Sequence, residues 1–528
     1  MSKGNHMSTD HHDVIIIGTG AGGGTLAATL APTGKRILIL ERGGFLPRER
    51  ENWDTRAIFE QGRYLASETW YDEHDQAFRP YTHYWVGGNT KVYGAALLRL
   101  RERDFGELRH WGGVSPAWPI GYDDLEPFYE RAEWMYHVHG QRGSDPHEPR
   151  CARPFPHGPI PFESRMREMY EDLRAVGYNP FPIPLGVRLP EDARADPAGS
   201  RPAIQDAEYR LSNFDGYPDL TEAKADAHVC GVRPALAHPN VEIVTGARVT
   251  RSTTDRIGRE VAGVEYMHQG EHRVARASMV VVACGAINSA ALLLRSSNER
   301  WPRGLANSSD QVGRNYMCHQ NGCFVAVMDT PNPSSFQKGF GLTEFYFGAP
   351  DSPHPLGTIQ LMGKPDPGTL AWLRGDALPG MSMEDIAGRT VDFFLTAEDL
   401  PDPSNRVALR ADGSIRLAYR RNNTEAYDRL RTTLEVALER AEARHGRARP
   451  TCLHQRLGIS GVSHQNGTLR MGADPRASVV DIDGKAHDMT NLYVCDAGVF
   501  PSSGAVNPSL TIMAWALRMG EHPTRVLA

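Results

Sequence analysis

A glycine-rich turn near the start of the chain constrains its fold more than any other feature of the sequence. Residues 13–17 form a short β-branched run, and the glycine-rich segment 18–24 follows directly. The alanine- and leucine-rich residues 25–30 predict a helix, and the apolar run 36–40 predicts a second strand. This order of elements predicts a βαβ unit and therefore an α/β domain with a Rossmann-like sheet.

The glycine turn has the spacing of a nucleotide-binding motif. Gly18, Gly20 and Gly23 form GxGxxG, which permits a tight turn and lets the backbone approach a pyrophosphate. A helix starting near Ala21 would offer its free N–H groups to that anion. Glu41 ends the second strand, 21 positions after Gly20, where a carboxylate accepts hydrogen bonds from adenosine ribose hydroxyls. These residues fit NAD and FAD equally and disfavour NADP, whose phosphate the acid would repel.

Length and element order predict two domains, because 528 residues exceed what one hydrophobic core normally supports. Elements of the βαβ type recur in the middle and near the end of the chain: strands 241–250, 277–283 and 491–495, and helices 288–294 and from Pro508. Elements of another kind lie between them: candidate strands 323–328, 358–362 and 391–396, and an amphipathic helix at 424–444. We therefore predict a discontinuous nucleotide-binding domain and an inserted substrate-binding domain.

The predicted boundaries follow these element patterns. The nucleotide-binding domain takes residues 12–120, 225–318 and 458–528, and the substrate-binding or cap domain takes residues 121–224 and 319–457. Two polar, irregular stretches are predicted to lie at the surface, 43–80 as a lid or oligomer arm and 140–201 as part of a cap.

Composition excludes several classes of partner. The net charge of -6 and the lack of a Lys/Arg run argue against nucleic acid. No stretch approaches the roughly 20 apolar residues that cross a bilayer, and residues 1–12 lack the apolar segment of a signal peptide. Seven scattered cysteines, odd in number and never in a CxxC pair, indicate reduced thiols without a metal site. We predict a cytoplasmic protein that binds no membrane.

Downstream segments of the chain resemble, in order, the glucose–methanol–choline (GMC) oxidoreductase family. The resemblance rests on residues 84–95 (YWVGGNTKVYGA), 118–120 with 122–129, 285–289 with 292–294, 312–315, 405–407, and 463–472 through 507–511. One departure is Ala290, which replaces the proline usual in the family's second signature. The resemblance implies an α/β architecture, α+β overall, in which a Rossmann-like domain holds FAD. It also implies a substrate domain built on an antiparallel or mixed sheet flanked by helices.

The resemblance and the glycine motif together assign a set of residues to FAD. They are Gly18, Gly20, Ala21, Gly23, Glu41, Arg42, Gly87, Gly88, Asn89, Thr90, Gly94, Val249, Ala283, Gly285, Asp496, Ala497, Asn507, Pro508 and Ser509. The family more often has Asp-Gly where this chain has Asp496-Ala497. Several relatives attach FAD covalently through a histidine of the glycine loop. Residues 89–94 contain none, and His83 lies upstream, so we predict non-covalent FAD.

His464 and Asn507 match the catalytic pair of the family. Histidine is the side chain best suited to take a hydroxyl proton near neutral pH, while the flavin takes the hydride. Asn507 stands where some relatives have a second histidine, which suggests a hydrogen bond to the substrate oxygen. The Asn507-Pro508 pair also predicts a helix start, and a helix aimed at the flavin would stabilise negative charge there.

The block at 464–468 with Asn507-Pro508 resembles the branch of pyranose 2-oxidase and the bacterial glycoside 3-oxidases. It implies oxidation of a secondary alcohol of a sugar or glycoside, at ring carbon 2 or 3, with oxygen or a quinone as electron acceptor. Gln360, Gln465 and Asn466 suit sugar hydroxyls and suit structural roles at least as well. Other functions stay open: a dehydrogenase that reduces a quinone or a partner protein, a dehydrogenase of a non-sugar alcohol or polyol, a lyase with structural FAD, a plain NAD-dependent dehydrogenase, and a non-catalytic flavin-binding module.

Overall fold

The chain forms several sheets with helices packed around them, in a computed structural model that describes residues 11–189, 214–349, 352–374, 378, 380–461 and 463–526. The strands are β1 (His11–Ile17), β2 (Ile37–Leu40), β3 (Trp70–Tyr71), β4 (Ala77–Phe78), β5 (Leu108–His110), β6 (Gly113–Ser115), β7 (Val138–His139), β8 (Phe181–Pro182), β9 (Leu185–Gly186), β10 (Val241–Val244), β11 (Arg248–Thr254), β12 (Val261–His268), β13 (Glu271–Val282), β14 (Gln320–Val327), β15 (Phe340–Leu342), β16 (Thr358–Leu361), β17 (Thr390–Ala397), β18 (Arg406–Leu409), β19 (Ile415–Ala418), β20 (Thr451–Arg456) and β21 (Leu492–Val494).

The helices join and cover these strands. The α-helices are α1 (Ala21–Leu30), α2 (Glu126–Met135), α3 (Ser164–Ala175), α4 (Arg233–Leu236), α5 (Ala286–Arg295), α6 (Pro367–Arg374), α7 (Met383–Ala387), α8 (Thr424–Ala443) and α9 (Ser509–Val526). Short 3₁₀ or π turns lie at Ala31–Thr33, Arg50–Trp53, Arg56–Glu60, Gly88–Lys91, Glu102–Phe105, Tyr122–Asp124, His228–Val232 and Ala497–Val499.

The first sheet carries the βαβ unit predicted from the glycine turn. Its order is β10–β2–β1–β13–β12–β11, with β21 also paired to β13. The strands β10, β2, β1, β13 and β21 run parallel, and β11, β12 and the first half of β13 run antiparallel. The burial pattern of β13 explains why it pairs antiparallel with β12 and parallel with β1 and β21. Of its first eight residues only Ala275 and Ala277 are buried, while its last four residues, 279–282, are all buried, as a central parallel strand requires.

The sequence prediction of one strand over residues 241–250 is wrong. The structure divides this stretch into β10, which pairs with β2, and β11, which pairs with β12. The two strands are separated by a turn at Gly246, whose φ of +67° lies in the left-handed region that favours glycine. A glycine inside an apolar run therefore marks the turn between two strands here.

The second sheet is antiparallel, in the order β20–β14–β17–β16–β15–β8. It contains all three strands predicted for the middle of the chain. Helix α8 covers one face, and its apolar residues Leu430, Leu434 and Leu438 belong to the same core as Phe324 and Phe393 of the sheet. The predicted α/β architecture, with an antiparallel sheet flanked by helices, is therefore confirmed.

The domain boundaries stay a prediction. Apart from His11 at the start of β1, strands of the first sheet fall within residues 12–120, 225–318 and 458–528, and those of the second sheet within 121–224 and 319–457. Other elements cross this division. The four-stranded sheet β18–β19–β3–β4 combines both groups, and α2 packs on the first-sheet helices, where Tyr129 Oη lies 2.9 Å from Thr511 Oγ1.

Several smaller expectations also meet the structure. Segment 43–80 contains short turns and the β3–β4 pair, so it is more ordered than predicted. Residues 190–201 of the predicted irregular stretch 140–201, and residues 1–10, lie outside the described residues. All seven cysteines are free thiols. Among the described residues, every helix is too short or too polar to cross a bilayer.

Candidate active site

A cavity of about 440 Å³ lies where the glycine turn of the first sheet faces the second sheet. Most of the residues predicted to bind FAD are on its wall: Gly18, Gly20, Ala21, Glu41, Arg42, Gly88, Asn89, Thr90, Gly94, Val249, Ala283, Gly285, Asp496, Ala497, Asn507, Pro508 and Ser509. His464 is on the same wall. Of the predicted residues, Gly23 and Gly87 lie behind the wall. The structure thus brings together residues from the beginning, middle and end of the sequence.

The three motif glycines have different physical roles. Gly18 has a φ of +100°, and a Cβ there would lie 2.5 Å from the Ala283 carbonyl oxygen. A Cβ on Gly23 would lie 2.1 Å from the Gly18 carbonyl oxygen, so this glycine lets α1 pack against the turn. A Cβ on Gly20 would meet no protein atom within 4 Å, and Gly20 faces the cavity. Helix α1 starts at the next residue without a side-chain cap. A dinucleotide pyrophosphate fits this cradle.

Glu41 braces the glycine turn. Its Oε2 accepts hydrogen bonds from Thr19 N (3.1 Å) and Thr19 Oγ1 (2.5 Å), and its Oε1 accepts one from Gly43 N (2.8 Å). Burial raises the pKa of Glu41, although these hydrogen bonds oppose the shift. Thr19 Oγ1 also accepts a hydrogen bond from Gly87 N (3.1 Å), which connects the turn to the second glycine loop. Contact between Glu41 and a ribose stays a prediction, whereas this bracing was not anticipated from the sequence.

The second glycine loop touches the first. A Cβ on Gly88, whose φ is +57°, would lie 3.1 Å from Gly20 Cα. Thr90 Oγ1 donates to the Gly87 carbonyl oxygen (2.6 Å) and accepts from Ala227 N (2.9 Å). Asn89 Oδ1 accepts from the backbone of the buried His83 (2.9 Å). The side chains of Asn89 and Thr90 therefore hold the loop in shape, which leaves its backbone to form the cavity wall.

Asp496 fixes the third part of the cradle. One carboxylate oxygen accepts from Gly285 N (3.0 Å) and from Ser289 Oγ, and the other accepts from Gly498 N (2.8 Å). Burial raises the pKa of Asp496. A Cβ on Gly498 would lie 2.8 Å from Asp496 Oδ1. The glycine that the family more often has directly after the aspartate thus stands one position later, and it lets the backbone approach the carboxylate.

His464 and Asn507 meet beside the cavity, as the sequence predicted. Asn507 Nδ2 lies 3.4 Å from His464 Nε2, and Asn507 Oδ1 accepts a hydrogen bond from Gln360 Nε2 (2.7 Å). His464 Nδ1 lies 3.0 Å from His319 Nδ1 and 3.2 Å from Asn321 Nδ2. Helix α9 begins at Ser509, immediately after the Asn507-Pro508 pair that predicted it. Every polar atom of the His464 ring therefore has a neighbour within hydrogen-bonding range.

The surroundings of His464 keep its imidazole neutral. Burial lowers its pKa well below the ordinary histidine value, and positive charge on His319 or Lys338 lowers it further. Burial lowers the pKa of His319 as well. Lys338 also lies on the cavity wall, where its Nζ pairs with Asp215 Oδ1 at 2.6 Å. A neutral imidazole has one ring nitrogen without a hydrogen, so on a cavity wall it is equipped to accept a proton.

Sequence reasoning missed several residues of this site. His319 and Asn321 were not singled out, and Gln360 was left out because a structural role was as plausible. The Lys338–Asp215 pair also went unnoticed. No local signal marks these residues, because the second sheet brings β14 and β16 beside a loop more than 100 positions later in the chain.

Comparisons with known proteins point to one family. Residues 206–321 and 401–516 match the amino-terminal and carboxy-terminal profiles described as GMC oxidoreductase. The chain is 34% identical to 6'''-hydroxyparomomycin C oxidase of Streptomyces lividus, over 96% of this chain and 90% of that protein. It is 32% identical to paromamine 6'-oxidase of Streptomyces fradiae, with the same coverage. Pyridoxine 4-oxidase from Mesorbium loti has a similar fold, with a TM-score of 0.65 at 19% identity, covering 98% of this chain and 99% of that chain.

The chain belongs to the GMC oxidoreductase family. Members of this family are FAD-containing flavoproteins that oxidise CH–OH groups, so the predicted enzyme class and cofactor are confirmed. The cradle built from Gly20, Gly88 and Gly285 fits such a dinucleotide, because all three backbones line one cavity. A plain NAD-dependent dehydrogenase no longer explains the chain.

Proposed function

We propose that this enzyme oxidises an alcohol group of a sugar or glycoside, with His464 as the base. The convergence of His464 and Asn507 on the wall of the cofactor cavity is the observation that carries this proposal. Two side chains 43 positions apart meet there, and their amide and imidazole groups suit a hydroxyl substrate. A lyase with structural FAD would use the histidine for acid–base chemistry alone, and its substrate would not reduce the flavin.

FAD would be held by the glycine turn at Gly18 and Gly20, by the loop at Gly88, and by the segments around Gly285 and Asp496. When bound, it accepts the hydrogen of the carbinol C–H bond together with its electron pair, as hydride. His464 Nε2 takes the hydroxyl proton, and the C–O bond becomes C=O. Asn507 Nδ2 donates a hydrogen bond to the substrate oxygen as negative charge develops on it. Oxygen or a quinone-type compound would be the final acceptor of the two electrons and two protons that the alcohol loses.

The substrate proposal draws on the cavity wall and on the relatives. Amide and aromatic side chains suited to sugar hydroxyls and ring faces line the cavity: Gln360, Gln465, Phe59, Tyr81 and Phe394. Two of the relatives are named as oxidases of paromamine and a hydroxyparomomycin, and a third as a fructose dehydrogenase large subunit, from Gluconobacter japonicus, at 28% identity. We propose a secondary alcohol at ring carbon 2 or 3. The names of the first two relatives specify positions 6' and 6''', so the oxidised carbon must be identified directly.

Two further properties complete the proposal. The FAD is non-covalent, which the histidine-free loop 89–94 supports, and its release into the supernatant after acid precipitation would establish this. The location is cytoplasmic, which the free cysteines support because thiols stay reduced there.

An anaerobic substrate screen tests the proposed function. Sugars, glycosides and simple alcohols are mixed with the FAD-loaded protein, and loss of the flavin's visible absorbance is followed. Bleaching by a sugar or glycoside is expected, and NMR of the product identifies the oxidised carbon. Bleaching by non-sugar polyols alone would favour the dehydrogenase alternative, and no bleaching by any alcohol would favour the lyase. Reoxidation by oxygen, compared with a soluble quinone, identifies the acceptor.

A further inference from the structure

The second ring nitrogen of His464 makes a contact that the proposed chemistry does not use. His464 Nδ1 lies 3.0 Å from Nδ1 of His319, and the two rings are nearly perpendicular, at 89°. His319 is 1% exposed, so water does not compete for this contact. Two nitrogens at this distance share a single hydrogen, because two N–H groups would repel each other and two lone pairs would gain nothing. The question is which histidine carries it.

The other face of His319 answers this question. Its Nε2 lies 3.1 Å from the carbonyl oxygen of Ser503, which can only accept a hydrogen bond. Nε2 of His319 therefore carries a hydrogen. A neutral imidazole has one N–H, so Nδ1 of His319 has only a lone pair. The shared hydrogen consequently sits on Nδ1 of His464.

Asn321 fits this assignment once its amide is turned by half a turn. Its amide lies 3.2 Å from His464 Nδ1 through Nδ2, and its Oδ1 has no hydrogen-bond partner among the described residues. The two ends of an amide are exchanged by a half-turn that leaves the other atoms in place. After the exchange, Oδ1 faces His464 Nδ1 and accepts from the same N–H. Both neighbours of this nitrogen are then acceptors.

The backbone of His319 is also unusual. Its φ of +64° lies in the left-handed region, which is uncommon for a buried residue with a side chain. It directly precedes β14, and the conformation places its ring between the Ser503 carbonyl and His464. A strained residue that both bonds depend on is typical of a position selected for its side chain.

We infer that His319 is a positioning residue that keeps the hydrogen of His464 on Nδ1, so that Nε2 is bare and faces Asn507 and the cavity. The inference rests on the proposed function, in which Nε2 takes the substrate proton. His464 protonated on both nitrogens would donate its Nδ1–H to the lone pair of His319, so the same contact also stabilises the product of proton transfer.

Two substitutions of similar polarity separate this role from a purely structural one. In His319→Asn the amide oxygen can occupy the place of Nδ1 and accept from His464, and asparagine tolerates a positive φ. In His319→Gln the longer amide reaches the Ser503 carbonyl instead, and the acceptor for His464 is lost. The readouts are the ¹⁵N shifts of the His464 ring in FAD-loaded protein, assigned by their absence in His464→Ala, and the limiting rate of anaerobic flavin reduction.

The parent and His319→Asn should show a protonated Nδ1 and a bare Nε2 on His464. His319→Gln should move hydrogen toward Nε2 of His464. It should lower the limiting rate of flavin reduction about 10- to 100-fold, a smaller loss than the roughly 10²–10⁴-fold loss expected when the base itself is removed. The substrate concentration that gives half the limiting rate should not change. Hydrogen on Nε2 in the parent, or equal rates and shifts in the two variants, would overturn the inference. If His319→Gln loses its flavin, the parent spectrum still decides. The spectra need no substrate, so failure of the sugar screen alone would refute only the proposed function.

Discussion

Gln360 Nε2 donates a 2.7 Å hydrogen bond to Asn507 Oδ1, which determines the end of the Asn507 amide that faces His464. Gln360 is 1% exposed and belongs to β16, so its backbone position is fixed by the second sheet. The donor end of Asn507 is therefore directed at the place where the substrate oxygen gains charge. A residue of the second sheet thus orients a group that follows the last strand of the first.

Replacing Gln360 by methionine should release the Asn507 amide. We expect flavin reduction to slow by roughly 2- to 10-fold, the kinetic equivalent of one hydrogen bond of about 0.5–1.5 kcal/mol. Stopped-flow reduction under anaerobic conditions measures this. Thr358→Val is the matched control, because Thr358 is a buried residue of the same strand whose Oγ1 has no partner among the described residues. Equal rates in both variants would show that Asn507 needs no such support.

Removing the imidazole of His464 should separate chemistry from cofactor binding. His464→Ala is expected to retain its yellow colour while flavin reduction slows by roughly 10²–10⁴-fold, the usual worth of general base catalysis. His454→Ala, at an exposed histidine of β20, should behave like the parent. The comparison uses absorbance spectra and single-turnover rates. Near-normal reduction in His464→Ala would disprove its role as the base.

The pH profile should show that His464 works while neutral. Because its pKa is lowered well below 6.5, the reduction rate should stay constant to below pH 6.5 and fall only when the imidazole is protonated. Lys338 contributes to the lowering, so Lys338→Met, which also leaves the Asp215 carboxylate unpaired, should raise the pKa and move the acid limb to higher pH. Lys338→Arg keeps the charge and should leave the limb in place. If the reduction rate of Lys338→Met falls at the same pH as that of the parent, or at a lower pH, the charge of Lys338 does not lower the pKa of His464.

Two glycine substitutions should distinguish cofactor contact from folding. Gly20→Ala adds a methyl group that meets no protein atom within 4 Å but enters the cavity, so it should weaken FAD binding by roughly tenfold or more, about 1.4 kcal/mol, with little change in protein yield. Gly18→Ala should reduce both flavin content and thermal stability, because its φ of +100° and the nearby Ala283 carbonyl exclude a Cβ. Flavin titration and thermal unfolding measure the two effects. If Gly20→Ala binds FAD as tightly as the parent, the glycine turn is not part of the FAD-binding site.

Most of the features that the sequence predicts follow from residues that are close together in the chain. The turn at Gly18, the helix start at Asn507-Pro508 and the strands of the second sheet follow from neighbouring residues and from periodicity. The error at 241–250 arose because both halves are rich in strand-forming residues, and only Gly246 marks the turn between them.

Contacts between distant segments could not be predicted in this way. His319 meets His464 across 145 positions, and only the pairing of β14 with its neighbours brings them together. The internal roles of Glu41 and Asn89 were equally hidden, because a carboxylate or amide that binds a ligand and one that braces a loop look the same in a sequence.

The position of β21 beside β13 has a consequence for how the protein is made. The first sheet gains its last parallel strand, and Asp496 its hold on Gly285, only after residue 496 has been synthesised. His464 and Asn507 are likewise translated long after the glycine turn. The turn must therefore wait for these downstream segments before its cavity closes, and cofactor loading follows their synthesis.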